Sequence, residues 1–197
     1  DLEDGVVIAW TEGDIVGLWG ESNSSSLGLN CGYKAIPDQN DHSQCTFKPV
    51  NEVVKYMDDS EIVIYGYYPF ASPDNVSAYA FEVKKDQSTS AAYGKIGGYE
   101  ASDFLWGKTE NVAPTDKVIK LGFRHMMASA RVTLAEGEGF DDGEWTSLEK
   151  AVSLLNTKRE STINLATGEV TAIGDVPSTG TIPYVDGSDY RAIIVPQ

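Results

Sequence analysis

Positive charge is scarce in this chain. Fifteen Lys and Arg stand against thirty Asp and Glu, for a net charge of -15 over 197 residues. A surface so acidic repels phosphate backbones and anionic headgroups, which argues against nucleic-acid and membrane-surface roles. Long apolar runs are lacking as well, and no stretch approaches the roughly 20 residues a membrane-spanning helix needs. No leader with a basic start and an apolar centre is visible, because "DLEDG" is acidic, so a processed product is expected. Histidine and cysteine each occur only twice, which leaves few soft ligands for a metal centre. There is no phosphate-binding Gly loop, no G-x-S-x-G and no H-E-x-x-H. Without such motifs no enzyme activity, cofactor or metal is expected.

What the chain does have is β-forming material. It is 41% hydrophobic and 10% aromatic, enough for a substantial core. "VVIAW" (6–10) and "DIVGLWG" (14–20) are short β-prone runs, and "EIVIYGYYPF" (61–70) is the strongest strand. Apolar residues on both faces of that run, Ile62, Ile64 and Tyr68 against Val63, Tyr65 and Tyr67, predict an inner strand. Pro69 lacks a ladder donor, so pairing should fade there. "YAFEV" (79–83) and the closing "YRAIIVPQ" (190–197) are further strands. "STINLATGEVTAI" (161–173) reads as a hairpin turning at Thr167-Gly168. "GESNSSSLGLN" (20–30), the polar stretch between the cysteines and the long run 86–116 read as loops. Only 145–156 carries a helical spacing, in Leu148, Val152 and Leu155. Eight or so strands with at most one or two short helices predict an all-β, Greek-key β-sandwich in a single domain.

"KLGFRHMMASARVTL" (120–134) holds one histidine and two of the three methionines, but its spacing is that of a strand. Through Met127 the inward positions are odd: Ile119, Leu121, Phe123, His125 and Met127. From Ala130 they are even: Ala130, Val132 and Leu134. Such a change of phase predicts a bend near Met127–Ser129, with Phe123 and Val132 both buried. Met126 and Met127 are adjacent and point to opposite faces, so they cannot share a metal from a regular strand. His125 is expected at the core edge, hydrogen-bonded rather than ligating.

Cys31 and Cys45 flank a polar loop and are expected to form a disulfide in an oxidising compartment. The alternative is a metal site in which His42 joins them and Asp38 or Asp41 supplies a fourth ligand, although C-x10-H-x2-C is not a usual zinc spacing. "FDDGEW" (140–145) and "DGSD" (186–189) are acidic, but they read as solvated turns and match no calcium loop. Trp19, Trp106 and Trp145 are expected in the core. Two of them coplanar on one open face would instead suit a carbohydrate platform.

Several stretches together resemble the fimbrillin-like proteins of Bacteroidetes, the family of major and minor fimbrial subunits. They are "GDIVGLWG", "IVIYGYYPF", "DQSTS…YEASDFLWGK", "VIKLGFRHMMASARVTL", "INLATGEV" and "YRAIIVPQ", in the family's order and over most of the chain. The resemblance implies transthyretin-like β-sandwich domains in a non-enzymatic, exported subunit of the cell surface and outer membrane. It also implies a lipoprotein precursor trimmed by proteolysis, and assembly with other fimbrial subunits by exchange of β-strands. "YRAIIVPQ" resembles the end of the first of two domains, so the resemblance implies an N-terminal domain or a fragment. Cys31 does not match the lipidated Cys, since no apolar run precedes it, and the first Arg, Arg124, lies too late for Arg-directed trimming near the start. The exchanged element would be the first predicted strand: Val6, Val7, Ile8, Ala9 and Trp10. Its bland alternative is an ordinary edge strand that never leaves. The partners implied are other subunits and a host or glycan ligand. The alternative function is a surface carbohydrate-binding lipoprotein.

Overall fold

The computed structural model describes residues 8–22, 25–50, 52–72, 75–89, 96–114, 118–141 and 143–197. Among the described residues the strands are β1 (Ile15–Ser22), β2 (Ser25–Pro37), β3 (Cys45–Pro49), β4 (Ile62–Tyr68), β5 (Tyr79–Glu82) and β6 (Leu105–Val112). They continue as β7 (Phe123–His125), β8 (Ala128–Thr133), β9 (Glu160–Asn164), β10 (Glu169–Ile173), β11 (Tyr184–Asp186) and β12 (Asp189–Ile194). Among the described residues one short helix, α1 (Glu144–Ser147), and one 3-10 turn at Glu100–Ser102 interrupt them. The strands form three sheets, in the orders β3-β2-β1-β4-β6-β7, β10-β9-β5 and β11-β12-β8. The all-β class is as expected, and the antiparallel pairing agrees with a sandwich. The residues cluster into two compact units. One comprises Asp1–Ala80, Phe104–Met126 and Thr162–Val170; the other comprises Phe81–Asp103, Met127–Ser161 and Thr171–Gln197.

The first unit is organised by β4, which pairs with β1 on one side and β6 on the other. It is the inner strand that its two apolar faces predicted, and its pairing stops at Tyr68, before a cis Tyr68-Pro69 bond. On one face of the sheet Trp19 stacks on Tyr65 with centroids 4.9 Å apart, and Tyr67 stacks on Phe104 at 6.1 Å. The opposite face carries Val16, Ile62, Ile64, Tyr68 and Leu105, all buried. No strand of this unit lies over that second face among the described residues; three irregular segments do. Residues 8–10 bring Ile8 and Trp10 onto Val16, Ala35, Tyr68 and Leu105. Residues 52–57 bring Val54 and Tyr56 onto Leu27, Ile62 and Ile64. Leu121, from 118–122, lies over Gly66, where an added Cβ would stand 2.7 Å from its Cδ2. Gly66 is therefore a seat for a neighbour's side chain.

The second unit holds the sheet β11-β12-β8, closed by the two-residue turn Gly187-Ser188. Its central polar residue is Gln87, fully buried at 0% exposure. The Gln87 amide accepts the Ile193 N–H at 2.8 Å and donates to the Ile193 carbonyl at 2.8 Å. It imitates a backbone neighbour for β12 beyond the point where β11 ends, so no buried peptide group is orphaned there. Ser102 plays a smaller part of the same kind, accepting the Lys84 N–H and donating to the Gly98 carbonyl.

The change of phase in 118–134 is real. Odd positions face inward from Leu121 to Met127 and even ones from Ala128, whereas Ile119, expected inward, is exposed. The break falls at Met126–Met127, one residue before the expected bend, and there the chain leaves the six-stranded sheet and enters β8. Phe123 and Val132 both point inward but are half-buried. Residues 118–122 are not strand, so β7 is shorter than the alternation predicted. Three further expectations are corrected. Segments 20–30 and 31–45, taken as loops, hold most of β2, which pairs along β1. The connection 86–116 contains β6. The helix expected over 145–156 is confined to Glu144–Ser147: Leu148 is extended, and both Leu148 and Leu155 are exposed rather than buried on an apolar face.

Candidate functional site

The sequence nominated residues 6–10 for exchange. Val6 and Val7 lie outside the described residues. Ile8, Ala9 and Trp10 are described and form no strand, so the expected first strand is not present at 8–10. Trp10 acts instead as an anchor, 5% exposed. Its ring makes edge contacts with Phe47 at 5.1 Å, Phe123 at 5.2 Å and Tyr68 at 5.8 Å. Edge-to-face geometry of this kind is favourable beyond the area it buries. Between described residues the segment makes one main-chain hydrogen bond, Trp10 N–H to the His42 carbonyl at 2.8 Å. A tight turn follows: the Thr11 N–H donates to Asp14 Oδ2, and the Asp14 N–H to the Thr11 carbonyl. Asp14 also accepts the Tyr68 hydroxyl at 3.2 Å. Residues 8–10 are thus held by side chains, and the chain becomes ladder-bonded only at β1.

The expected disulfide is corrected: both thiols are free. Cys45 pairs with Pro37 in the β2–β3 ladder, and Cys31 sits six residues further along β2. At strand rise that is roughly 20 Å, whereas a disulfide tolerates about 7 Å between Cα atoms. The intervening residues are ladder rather than polar loop, and the loop proper is only 38–44. Burial raises the pKa of Cys31, aided by Glu52. Burial and then Asp14 push Cys45 up to about 11. Neither is a ready thiolate. The same separation takes Cys31 away from His42, and no cluster of three or more His, Cys, Asp or Glu that could hold a metal occurs among the described residues. His125 is half-buried at the end of β7, opposite Leu105.

The tryptophans do not make a sugar platform. Trp19 is buried on Tyr65. Trp106 is buried, donates Nε1–H to the Leu165 carbonyl at 2.7 Å and lies under the Arg124 guanidinium at 5.1 Å. Trp145 is half-exposed, flanked by Phe140 and by the Lys150 ammonium at 4.5 Å. Sequence reasoning missed the role of Gly168. Its φ of +74° makes the hairpin turn, and an added Cβ would stand 2.7 Å from the Trp106 ring. The turn residues announced the positive φ; nothing in the sequence announced the ring.

These features define an all-β protein whose second sheet face is closed by side-chain plugs and which offers no catalytic constellation among the described residues. The chain belongs to the fimbrillin-like family, whose sequence profile matches residues 4–197. Its fold is similar to that of a candidate cell adhesion protein from Bacteroides uniformis, with a TM-score of 0.75 at 20% identity over 95% of this chain and 70% of that one. A candidate cell adhesion protein from Bacteroides ovatus gives 0.69 at 18% identity, over 98% and 71%. A fimbrial protein from the same species gives 0.59 at 17% identity, over 98% and 39%. Among curated proteins none matches.

Proposed function

We propose that this chain is a structural, adhesive subunit of a bacterial surface fimbria and that it joins its neighbours by strand exchange. Membership of the fimbrillin-like family supports the first part. The observation that carries the second is the Trp10 anchor: a side chain deep in the core on a segment with a single main-chain hydrogen bond between described residues. Removing residues 1–10 would open an apolar slot between Phe47, Tyr68 and Phe123. An incoming strand could fill that slot with one large side chain and add backbone pairing that 8–10 do not supply. Thr11, Glu12 and Gly13 follow at once and are exposed, as a processing site must be. In this proposal the chain is one β-sandwich domain of a longer, exported subunit, trimmed from a lipoprotein precursor and associated with the outer membrane. Its partners are other subunits, and it carries no enzyme activity. The buried Trp19 and Trp106 make a carbohydrate-binding lipoprotein the weaker alternative.

The test uses the full-length subunit. With residues 1–10 removed, it should form ladders that survive detergent without heating, and Trp10→Ala in the untrimmed subunit should allow slow ladder formation. A trimmed subunit that stays monomeric while its circular dichroism is unchanged would refute exchange at this site.

A further inference from the structure

The first face of the six-stranded sheet is not uniform. Trp19, Tyr65 and Tyr67, on β1 and β4, are buried. At the β2–β3 end the same face is bare: Lys34, Ile36, Thr46, Lys48 and Val50 are all exposed. Ile36 is 38% exposed and Val50 58%. Lys34 and Lys48 are direct cross-strand partners. Like charges placed directly opposite cost stability. Neither lysine has an ion-pair partner among the described residues, although the chain carries twice as many acids as bases. Edge protection accounts for Lys48 and for Pro49, which has no N–H to offer an added strand. It does not account for Lys34, which lies on β2 inside the sheet, or for the two aliphatic side chains beside the lysines.

We propose that this bare hairpin face is a side-chain docking surface for a second copy of the chain, with Lys34 and Lys48 meeting that copy's acidic segment 136–149. Charge complementarity selects the occupant. Between Glu136 and Glu149 there are six acids and no base. Among them Glu138, Asp141 and Glu144 are exposed, as are the apolar Phe140 and Leu148. Two cations flanked by aliphatic groups thus face carboxylates flanked by apolar groups. The patch on one copy differs from the patch on the next, so the contact is heterologous and propagates unless it closes on itself. This goes beyond strand exchange: it engages the opposite sheet face from Trp10, uses side chains rather than main chain, and requires no trimming.

The experiment is sedimentation of the full chain in about 0.1 M salt, where a Debye length of about 10 Å screens the general repulsion between acidic copies but leaves contact pairs in place. The wild type should self-associate. K34E/K48E and, separately, E138K/D141K/E144K should each weaken association about tenfold, an effect within the range of close interfacial charge pairs. Mixing the two variants should restore it, because each then supplies the charge the other has reversed. Lys34→Glu alone places opposite charges across the ladder, so it should raise the unfolding midpoint while it weakens association, a combination a purely structural lysine would not give. Wild-type chains that stay monomeric, variants that associate as the wild type does, or a mixture that is not restored would each overturn the proposal. So would chains that bind a sulfated polysaccharide through Lys34 and Lys48 while remaining monomeric. Exchange at Trp10 is unaffected by these outcomes, since it is read in trimmed subunits as detergent-resistant ladders.

Discussion

Gln87 offers the sharpest test of how the second unit is held together. Its amide makes three hydrogen bonds: it accepts from Ile193 N–H at 2.8 Å and donates to the Ile193 carbonyl at 2.8 Å and the Lys84 carbonyl at 3.2 Å. Gln87→Leu keeps most of the volume and removes all three. The buried Ile193 N–H and carbonyl are then left without this partner, each costing about 1–3 kcal/mol, while the carbonyl of the exposed Lys84 can turn to water. Allowing for partial relaxation, the loss should be about 3–5 kcal/mol, a large share of the 5–15 kcal/mol typical of a whole domain. Gln87→Glu separates hydrogen bonding from packing. A carboxylate can still accept from Ile193 N–H, but it sets a second acceptor against two carbonyls and is buried as well. Both effects raise its folded pKa above the unfolded value of about 4.3. The destabilisation should therefore be smallest below about pH 4, where the neutral acid lacks only one of the amide's two donors, and should grow as pH rises towards the folded pKa, by about 1.4 kcal/mol for each unit of pKa shift. Urea melts of the wild type and both variants, at about pH 4 and about pH 7, give the comparison. A Gln87→Leu loss under about 1 kcal/mol would refute the keystone role, as would a gap between Gln87→Glu and the wild type that does not narrow in acid.

Other outcomes follow from the same contacts. Gly168→Ala forces a Cβ onto the Trp106 ring at a φ of +74° and should cost about 2–4 kcal/mol by denaturant melt, combining left-handed strain with overpacking. Asp189 is held below the usual carboxylate range first by the Thr133 hydroxyl and then by Arg131. Its contribution is present above the unfolded pKa of about 3.9 and lost as pH falls through the lower folded value. Asp189→Asn should therefore flatten the acid side of the stability profile, and an unchanged slope would count against the pairing. Alkylation with mass measurement should find two free thiols after unfolding and slow labelling of native Cys45, whose pKa is pushed up to about 11. A reductant-sensitive, unlabelled chain would restore the disulfide.

The strands legible in the sequence were those whose own residues carry the β signal. β4 combines Ile62, Val63 and Ile64 with three tyrosines, and the hairpin β9–β10 is marked by Thr167-Gly168. β2 was hidden because Ser, Gly and Asn interrupt the apolar residues of Ser25–Pro37; it is extended because β1 and β3 hold it on both sides. Residues 8–10 misled in the opposite sense. Ile8 and Trp10 have strand composition, but their energy comes from one buried indole rather than from a ladder. The helix over 145–156 failed because spacing alone buries nothing: Leu148 and Leu155 remain exposed. The cysteine pair failed because counting residues between thiols says nothing about register. Gln87 and the bare lysine face were invisible for a common reason, since each depends on which segments the fold brings beside it.

The plugs on the second sheet face bear on the order in which the protein opens. A ladder strand leaves only when several main-chain bonds break together, so its amides exchange with solvent at close to the global unfolding free energy. Residues 8–10 and 52–57 are tied mainly through Trp10, Val54 and Tyr56. Between described residues the main-chain ties are Trp10 N–H to the His42 carbonyl and, for the second segment, Val54 N–H to the Tyr33 hydroxyl. Each can lift while β1, β2 and β4 stay paired, exposing apolar sheet without melting it. Deuterium should accordingly enter the amides of Trp10 and Val54 through low-energy local openings, long before it reaches the centre of β4. The two plugs should behave as separate exchange units, because they seat in distinct apolar clusters.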